Sequence, residues 1–465
     1  MKRRIALCLL LCLGIGQPLV FSQEAPGEKP LTLEECIQIA LKKRPELMIS
    51  TLDIAQAEFQ VKEAQSYYYP HLTMNAGYTH FSSPTIIDAT VNLTSLVAPI
   101  NPFILAAYGI ELPAFFEQRF PIGQTNWSAV TLDLAQPLYT FGRIDEAVKQ
   151  ARIGRSLATT QKEKKGLEVV FEVKKMYCQF LAAREMVQLL KEGETRASVV
   201  SKMVKIAYET AVPEKEEKGT TRIDYLKARN FLSEIKVKLG EMEKNLKLAE
   251  LGLKMAMGLD SSASLTLAKI PLEGLPRVSW NLEEMKEKTL SKNVDLRSVD
   301  LGVQFYESKR KAAGKEYLPK IGIFGQYIGP EDRYGNNNVW YAGVGITLSL
   351  FDGFLTKAKV GQAEAQFQKI RGQKLVLEKG LSVQIDHLNL NLTEVKERMD
   401  LLRAAIQEAQ ERVSLASEGY AAGITEFDEV LYAQKTELEM KSNYLQGLLL
   451  YQVTKSEIEF ILGDP

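Results

Sequence analysis

At 465 residues the chain is long enough for two or three ordinary domains or one large repetitive one. Its 58 basic residues are cancelled by 58 acidic ones, so it lacks the one-signed field of a nucleic-acid binder, and no nucleic-acid partner is expected. Charged residues make up 25% of the chain, the share of an ordinary folded protein, which excludes a disordered or acidic tail-like class.

Lys2, Arg3 and Arg4 precede an apolar run from Ile5 to Leu13, and Val20-Phe21-Ser22 offers cleavage positions before Gln23. This is the pattern of a secretory signal peptide, residues 1–22. Gly14, Gly16, Gln17 and Pro18 interrupt the run before it reaches the roughly 20 apolar residues of a membrane-crossing helix. Leu7 and Leu11 precede Cys8 and Cys12, which argues against lipid attachment, and Cys36 and Cys178 are too few for a disulfide framework; they read as packed thiols. With no long apolar helix later in the chain, any membrane crossing has to be made by β-strands.

"LEECIQIALKKRPEL" from Leu33 opens the mature chain with helical periodicity. After Pro70 the period changes: Leu72, Met74, Ala76 and Tyr78 alternate with Thr73, Asn75, Gly77 and Thr79, which predicts a strand near 70–81. A second strand is expected near 126–138. From Leu138 to Val212 there is no proline, and apolar residues such as Val169, Val173, Met176 and Phe180 recur at helical spacing. A helix near 143–210 would be about 100 Å long, which no compact domain contains. A turn at 211–222 and a returning helix complete the series.

The series then repeats. "LEECIQIALKKRPEL" recurs 249 residues later as "LEEMKEKTLSKNVDL", Leu138-Tyr139 recurs 212 residues later as Leu350-Phe351, and "MAMGLD" recurs 205 residues later as "FILGDP". The chain divides into halves at 23–275 and 276–465, the second with strands near 319–329 and 339–351, a long helix near 355–420, a tip turn at 421–427 and a return helix. The falling shift places 37 extra first-half residues around 82–125 and seven more between Tyr208 and Asp224. Trp127 and Trp340 stand at matching strand ends, as interfacial aromatics do. Each strand is 9–12 residues, the length of a tilted membrane strand, yet four strands cannot close a barrel. An open sheet edge is excluded in lipid, so the chain has to oligomerise. A small soluble sheet capping a coiled coil fits the same alternation.

In this order, twice, "LTLEECIQIALKKRPEL", "QPLYTFGR" and "LSLFDGF", "TTRIDYLKAR" and "GITEFDEVLYAQ", and the closing "ILGD" resemble the outer membrane efflux protein family, the TolC-like export ducts of Gram-negative bacteria. The resemblance runs from about Leu31 to Pro465. It implies an α+β fold of mostly long helices: a homotrimer whose three times four strands form a 12-stranded barrel in outer membrane lipid. A periplasmic α-helical barrel would continue it, with a mixed equatorial region drawn from 31–45, 259–292 and the C-terminus. It also implies a periplasmic adaptor (membrane fusion protein) and an inner-membrane pump as partners, in a tripartite efflux pump or a type I secretion system.

By the same resemblance the two tip turns close the duct. Tyr420 stands at a linking tyrosine, Asp224 at its aspartate partner and Glu429 at an acidic ring, where a carboxylate repeated by symmetry would attract cations. The linking arginine is replaced by Thr425 and a second acidic ring by Tyr432; Asp428 and Arg222 are nearby charges able to compensate. Gly219 and Gly423 reverse the chain. An ordinary helix stop and restart accounts for part of this pattern, with Gly423 ending one helix and Thr425 capping the next with Asp428 at its third position. "PEKEEK" from Pro213 reads as a solvated charged loop or an adaptor contact.

No other chemistry is expected. His71, His80 and His387 are scattered, and no phosphate loop, Cys-x-x-Cys or nucleophile elbow occurs, so neither cofactor, metal nor catalysis is predicted. The alternative to a duct is an exported coiled-coil periplasmic scaffold or adaptor without a pore.

Overall fold

The computed structural model describes residues 30–80, 82, 126–210, 221–276, 278, 280–329 and 339–464. The expected signal peptide, almost all of the 82–125 insertion, the 211–220 turn with Gly219, and the "PEKEEK" segment lie outside the described residues.

Two copies of one series follow each other. The first comprises α1 (Leu33–Lys43), α2 (Pro45–Ser66), β1 (His71–His80), β2 (Asn126–Tyr139), α3 (Arg143–Thr210) and α4 (Arg222–Ala256). The second comprises α5 (Leu282–Lys292), α6 (Val294–Gly314), β3 (Lys320–Ile328), β4 (Val339–Thr347), α7 (Leu355–Ala421) and α8 (Phe427–Leu462). The sequence shifts reappear in the element starts: 249 for the leading helices and the first strand of each half, 213 for the second strand, 212 for the long helices, 205 for the returning ones. The chain is an internal duplication.

With 68 and 67 residues, α3 and α7 each extend about 100 Å. They run the length of the molecule, and the shorter helices fill the rows between and beside them. On the sheet side, α2 packs on α3, while α6 lies between α3 and α7; on the far side α4 packs on α3, while α8 lies between α3 and α7. The result is a palisade four helices wide, flanked by α2 and α4 at one edge and α7 at the other.

Where short helices meet end to end, the two halves use different side chains at the same place. The α4 C-terminus meets the α1–α2 junction, where Arg44 donates to the Ala256 carbonyl at 3.2 Å while pairing with Glu46 and Glu172, each at 2.9 Å. The α8 C-terminus meets the α5–α6 junction, where Asn293, the counterpart of Arg44, donates to the Ile461 carbonyl at 2.9 Å. The other face of Asn293 accepts from the amides of Asp295 and Leu296, capping α6. Gly258 and Gly463 end the two return helices in left-handed conformation, and a Cβ on either would press against the junction backbone at 3.1 Å, on Lys43 and Lys292 respectively. This explains the matched glycines of "MAMGLD" and "FILGDP".

The main core sits at this waist. Tyr177, Leu181, Leu253, Leu272, Met285, Ile385, Val395 and Ile458 belong to one buried cluster drawn from seven elements and the 259–275 segment. Leu31 pairs with Leu267 as a parallel bridge there, so the equatorial region is mixed in structure. Cys36 and Cys178 are free and buried within it, and burial pushes both thiols up to about 12.

The four strands form one antiparallel sheet in the order β1-β2-β3-β4, leaving β1 and β4 as edges. Its two faces differ. Leu72, Met74, Tyr78, Trp340, Val344 and Ile346 are all exposed on one face. Thr73, Asn75, Thr131, Asp133, Gln326, Tyr341, Gly343 and Gly345 share the other by strand register. The side chain of Trp127 lies outside the described residues. The strand expected to run to 351 stops at Thr347, because its partner β3 begins at Lys320, directly opposite. Beyond it Leu350 and Phe351 project into solvent, and the chain turns through Gly353 and Phe354 with φ near +66° and +68°.

Candidate functional site

The end of the palisade far from the sheet is built by the last turns of α3 and α7 and the first turns of α4 and α8. "EGYAAGITEF" makes one complete turn there. Gly423 takes a left-handed φ of +71° that β-carbons resist. The Ile424 amide reaches the Gly419 carbonyl at 2.8 Å and the Gly423 amide the Tyr420 carbonyl at 3.0 Å, the paired bonds of a Schellman stop. Thr425 then folds back: its hydroxyl donates to the Ala416 carbonyl at 3.1 Å, and a Cβ at Gly419 would lie 2.8 Å from it. Thr425 therefore does not cap α8. The N-cap position is Glu426, whose side chain makes no capping bond, and the expected Thr425–Asp428 cap is replaced by this closure over Gly419.

The first-half tip is capped differently. Thr221 and Asp224 form a reciprocal capping box on α4, with the Asp224 carboxylate accepting from the Thr221 amide at 2.9 Å and hydroxyl at 2.8 Å. The carboxylate expected to serve a link to Tyr420 is engaged by its own helix start. Tyr420 packs its ring 5.5 Å from Phe427, within a small cluster that includes Val204, Ala228 and Tyr225. Arg222 is exposed and forms no ion pair among the described residues.

Two ionic contacts hold this end together. Lys227 of α4 donates to both carboxylate oxygens of Asp428 of α8, at 2.6 and 2.7 Å, and so joins the two hairpins. The Asp428 hydrogen bond holds the Lys227 ammonium above the ordinary lysine range. Arg412 of α7 donates to Glu429 of α8 at 2.7 Å and lies 4.6 Å from the Tyr432 ring, joining the arms of one hairpin. That bond holds the Glu429 carboxyl below the usual glutamate range. Glu408, Glu411, Leu415 and Thr425 complete an open cleft of about 370 Å³ around the pair. Glu429 is thus a salt-bridged acid in this structure, and Tyr432 stacks on its partner.

Lys227 and Arg412 were not among the sequence candidates. Arg412 was within reach: folding the chain back about Tyr420-Ala421 sets Arg412 against Glu429 and Ala416 against Thr425. Lys227 and Asp428 are 201 residues apart and carry no such local signal.

The sequence model of the outer membrane efflux protein family matches residues 36–259 and 286–464, most of both halves. The chain belongs to this family. It is an outer membrane efflux channel, seated in the outer membrane by its strands and extended into the periplasm by its helices. Members of the family are channels rather than enzymes. No curated protein sequence matches the chain. Among solved structures, it is similar to CusC, described for its folding and transmembrane channel formation, at 13% identity and a TM-score of 0.75, covering 95% of this chain and all of that one. The outer membrane protein VceC of Vibrio cholerae matches at 14% identity and a TM-score of 0.74, over 93% of this channel and 96% of its own length. The open-state MtrE outer membrane channel of Neisseria gonorrhoeae matches at 16% identity and 0.72, over 93% and 89%. At these identities the structures share the fold. Among the described residues of this efflux channel no helix is long and apolar enough to cross a membrane.

Proposed function

We propose that three copies of this chain close into one passive export duct, a 12-stranded barrel above a helical tunnel, held shut at the periplasmic tip by the Lys227–Asp428 and Arg412–Glu429 contacts. One chain supplies four strands with two free edges, which lipid does not tolerate. Its two flanks carry matching apolar surface: Val376, Val383 and Leu390 of α7 repeat every seven residues, and all three are exposed, as are Met48, Leu52 and Phe59 of α2 on the opposite flank. A flank that meets the other flank of the next copy is a head-to-tail contact, the kind that closes into a ring. The single observation carrying the trimer is this pairing of open sheet edges with exposed heptad seams.

The gate is a modified form of the expected one. Lys227 and Arg412 supply the cations that the linking position, Thr425, lacks, and Asp428 and Glu429 answer them. Asp224 and Tyr420 shape the tip through a cap and an aromatic contact. Tyr432 supports Arg412, Arg222 is a solvated charge, and the 421–427 turn forms part of the rim. The family implies that a periplasmic adaptor and an inner-membrane pump engage this end.

The test is conductance. Detergent-purified protein should migrate as a heat-modifiable trimer and open small channels in planar bilayers. Lys227→Ala combined with Arg412→Ala should raise single-channel conductance severalfold without loss of the trimer. A soluble monomer would refute the duct, and unchanged conductance in the double variant would remove both contacts from the gate.

A further inference from the structure

The polar face of the sheet carries a hydrogen-bonded strap across all four strands. Asn75 of β1 donates to the Asp133 carboxylate of β2 at 2.8 Å, and Thr131 donates to the same oxygen at 3.2 Å. Gln326 of β3 donates to the other oxygen at 2.6 Å, and its own carbonyl accepts from the Tyr341 hydroxyl of β4 at 2.7 Å. The register produces this alignment: Asn75 faces Thr131, Asp133 faces Gln326, and Gln326 faces Tyr341. One pleat towards the helices, the Phe324 ring covers Gly343, where a Cβ would lie 2.9 Å from its tip, and packs 6.3 Å from the Tyr341 ring.

Three donors around one carboxylate fix it in place. The strap ends at β1 and β4, the two strands that meet a neighbouring copy. Resting on the trimeric reading above, the geometry points to Asp133 as a charge filter inside the barrel, one that favours cations over anions independently of the tip. Twelve strands about 4.8 Å apart and tilted about 40° enclose a backbone radius of about 12 Å. Three carboxylates about 9 Å from the axis, in water with a screening length of about 10 Å, enrich cations there about two- to threefold and deplete anions equally. The cation-to-anion permeability ratio should therefore fall about fivefold when the charge is removed.

Reversal potentials across a salt gradient measure that ratio. Asp133→Asn should lower it by about this factor, while Asp133→Glu, which keeps the charge, should hold it near the wild-type value. A purely structural strap would instead change trimer melting and leave the reversal potential alone. Should Asp133→Asn not assemble, Thr73→Lys, directly opposite Asp133, places a positive charge in the same field and must lower the ratio. Wild-type trimers that fail to conduct would overturn the duct reading itself. Conducting trimers whose reversal potential is the same in wild type and these variants would overturn the filter and leave the duct standing.

Discussion

The waist and the tip are made of the same helices and held by opposite means. At the waist, Tyr177, Leu181, Leu253 and Val173 have no solvent exposure, and Asn293 and Arg44 join helix ends across it. At the tip the buried residues shrink to two small groups, Val204, Ala228 and Phe427 in one and Ala416, Val430 and Ala433 in the other. The remaining contacts are half-exposed ion pairs, which add little to stability and are easily exchanged for water. A duct needs this division. On the gate proposed above, its frame has to survive every transport cycle, while its closure has to release under a modest push.

The largest expected effect is at the waist. Leu253→Ala removes a fully enclosed side chain from the central cluster and should cost about 2–5 kcal/mol of unfolding free energy. The denaturation midpoint of the purified trimer measures this. Trimers that remain folded should keep their wild-type conductance, since the tip is untouched. A conductance rise comparable to that of the tip variants would dissolve the separation between frame and closure.

A smaller effect is expected at the joint between them. Asn293→Ala leaves the Ile461 carbonyl and the amides of Asp295 and Leu296 without partners in a buried setting, at a cost of about 1–3 kcal/mol. Arg44→Ala, its counterpart, removes ion pairs and carbonyl bonds at a better-solvated place and should cost less. Equal losses would mean that the two joints, though built from different side chains, bear the same load.

The frame was far more legible in the sequence than the closure, for a physical reason. Duplication, proline spacing and change of period are properties of long segments, and they fixed the elements to within a few residues. The overrun of β4 to 351 is instructive: the alternation of "LSLF" continues, but a strand ends where its partner ends, and the start of β3 at Lys320 is not a property of β4. At the tip, Gly423 was readable because a left-handed stop has a local signature. Thr425 was misread as a cap because the space it fills is created by Gly419, six residues earlier, through the shape of the turn. The Lys227–Asp428 contact and the Asp133 strap both depend on which segments become neighbours. Alternation assigns Asn75, Asp133 and Gln326 to faces of their strands, but only the register between strands sets them side by side.

The smallest effect, and the one that separates tip from waist most cleanly, is in pH. Glu429 is held below the ordinary glutamate range by Arg412, so the contact is intact above that range and is lost as pH falls through the depressed value. Lys227 is held above the ordinary lysine range by Asp428, so that contact is intact below the range and is lost as pH rises through the raised value. Conductance should therefore be lowest on a plateau from about pH 5 to about pH 10 and rise on both sides. The waist responds most on the alkaline side. Its two thiols stay protonated up to about 12 when folded but ionise near the ordinary cysteine value when unfolded, so the frame loses stability on the alkaline limb. On the acid limb it loses only the contribution of Glu46, held below the usual glutamate range by a backbone hydrogen bond and by Arg44 at the joint, and the rise in conductance there should precede loss of the trimer. Glu429→Gln should remove the acid limb and leave the alkaline one. An acid limb that survives in this variant would assign the opening to other carboxylates, and the Arg412 contact would then be a surface ion pair without a part in the gate.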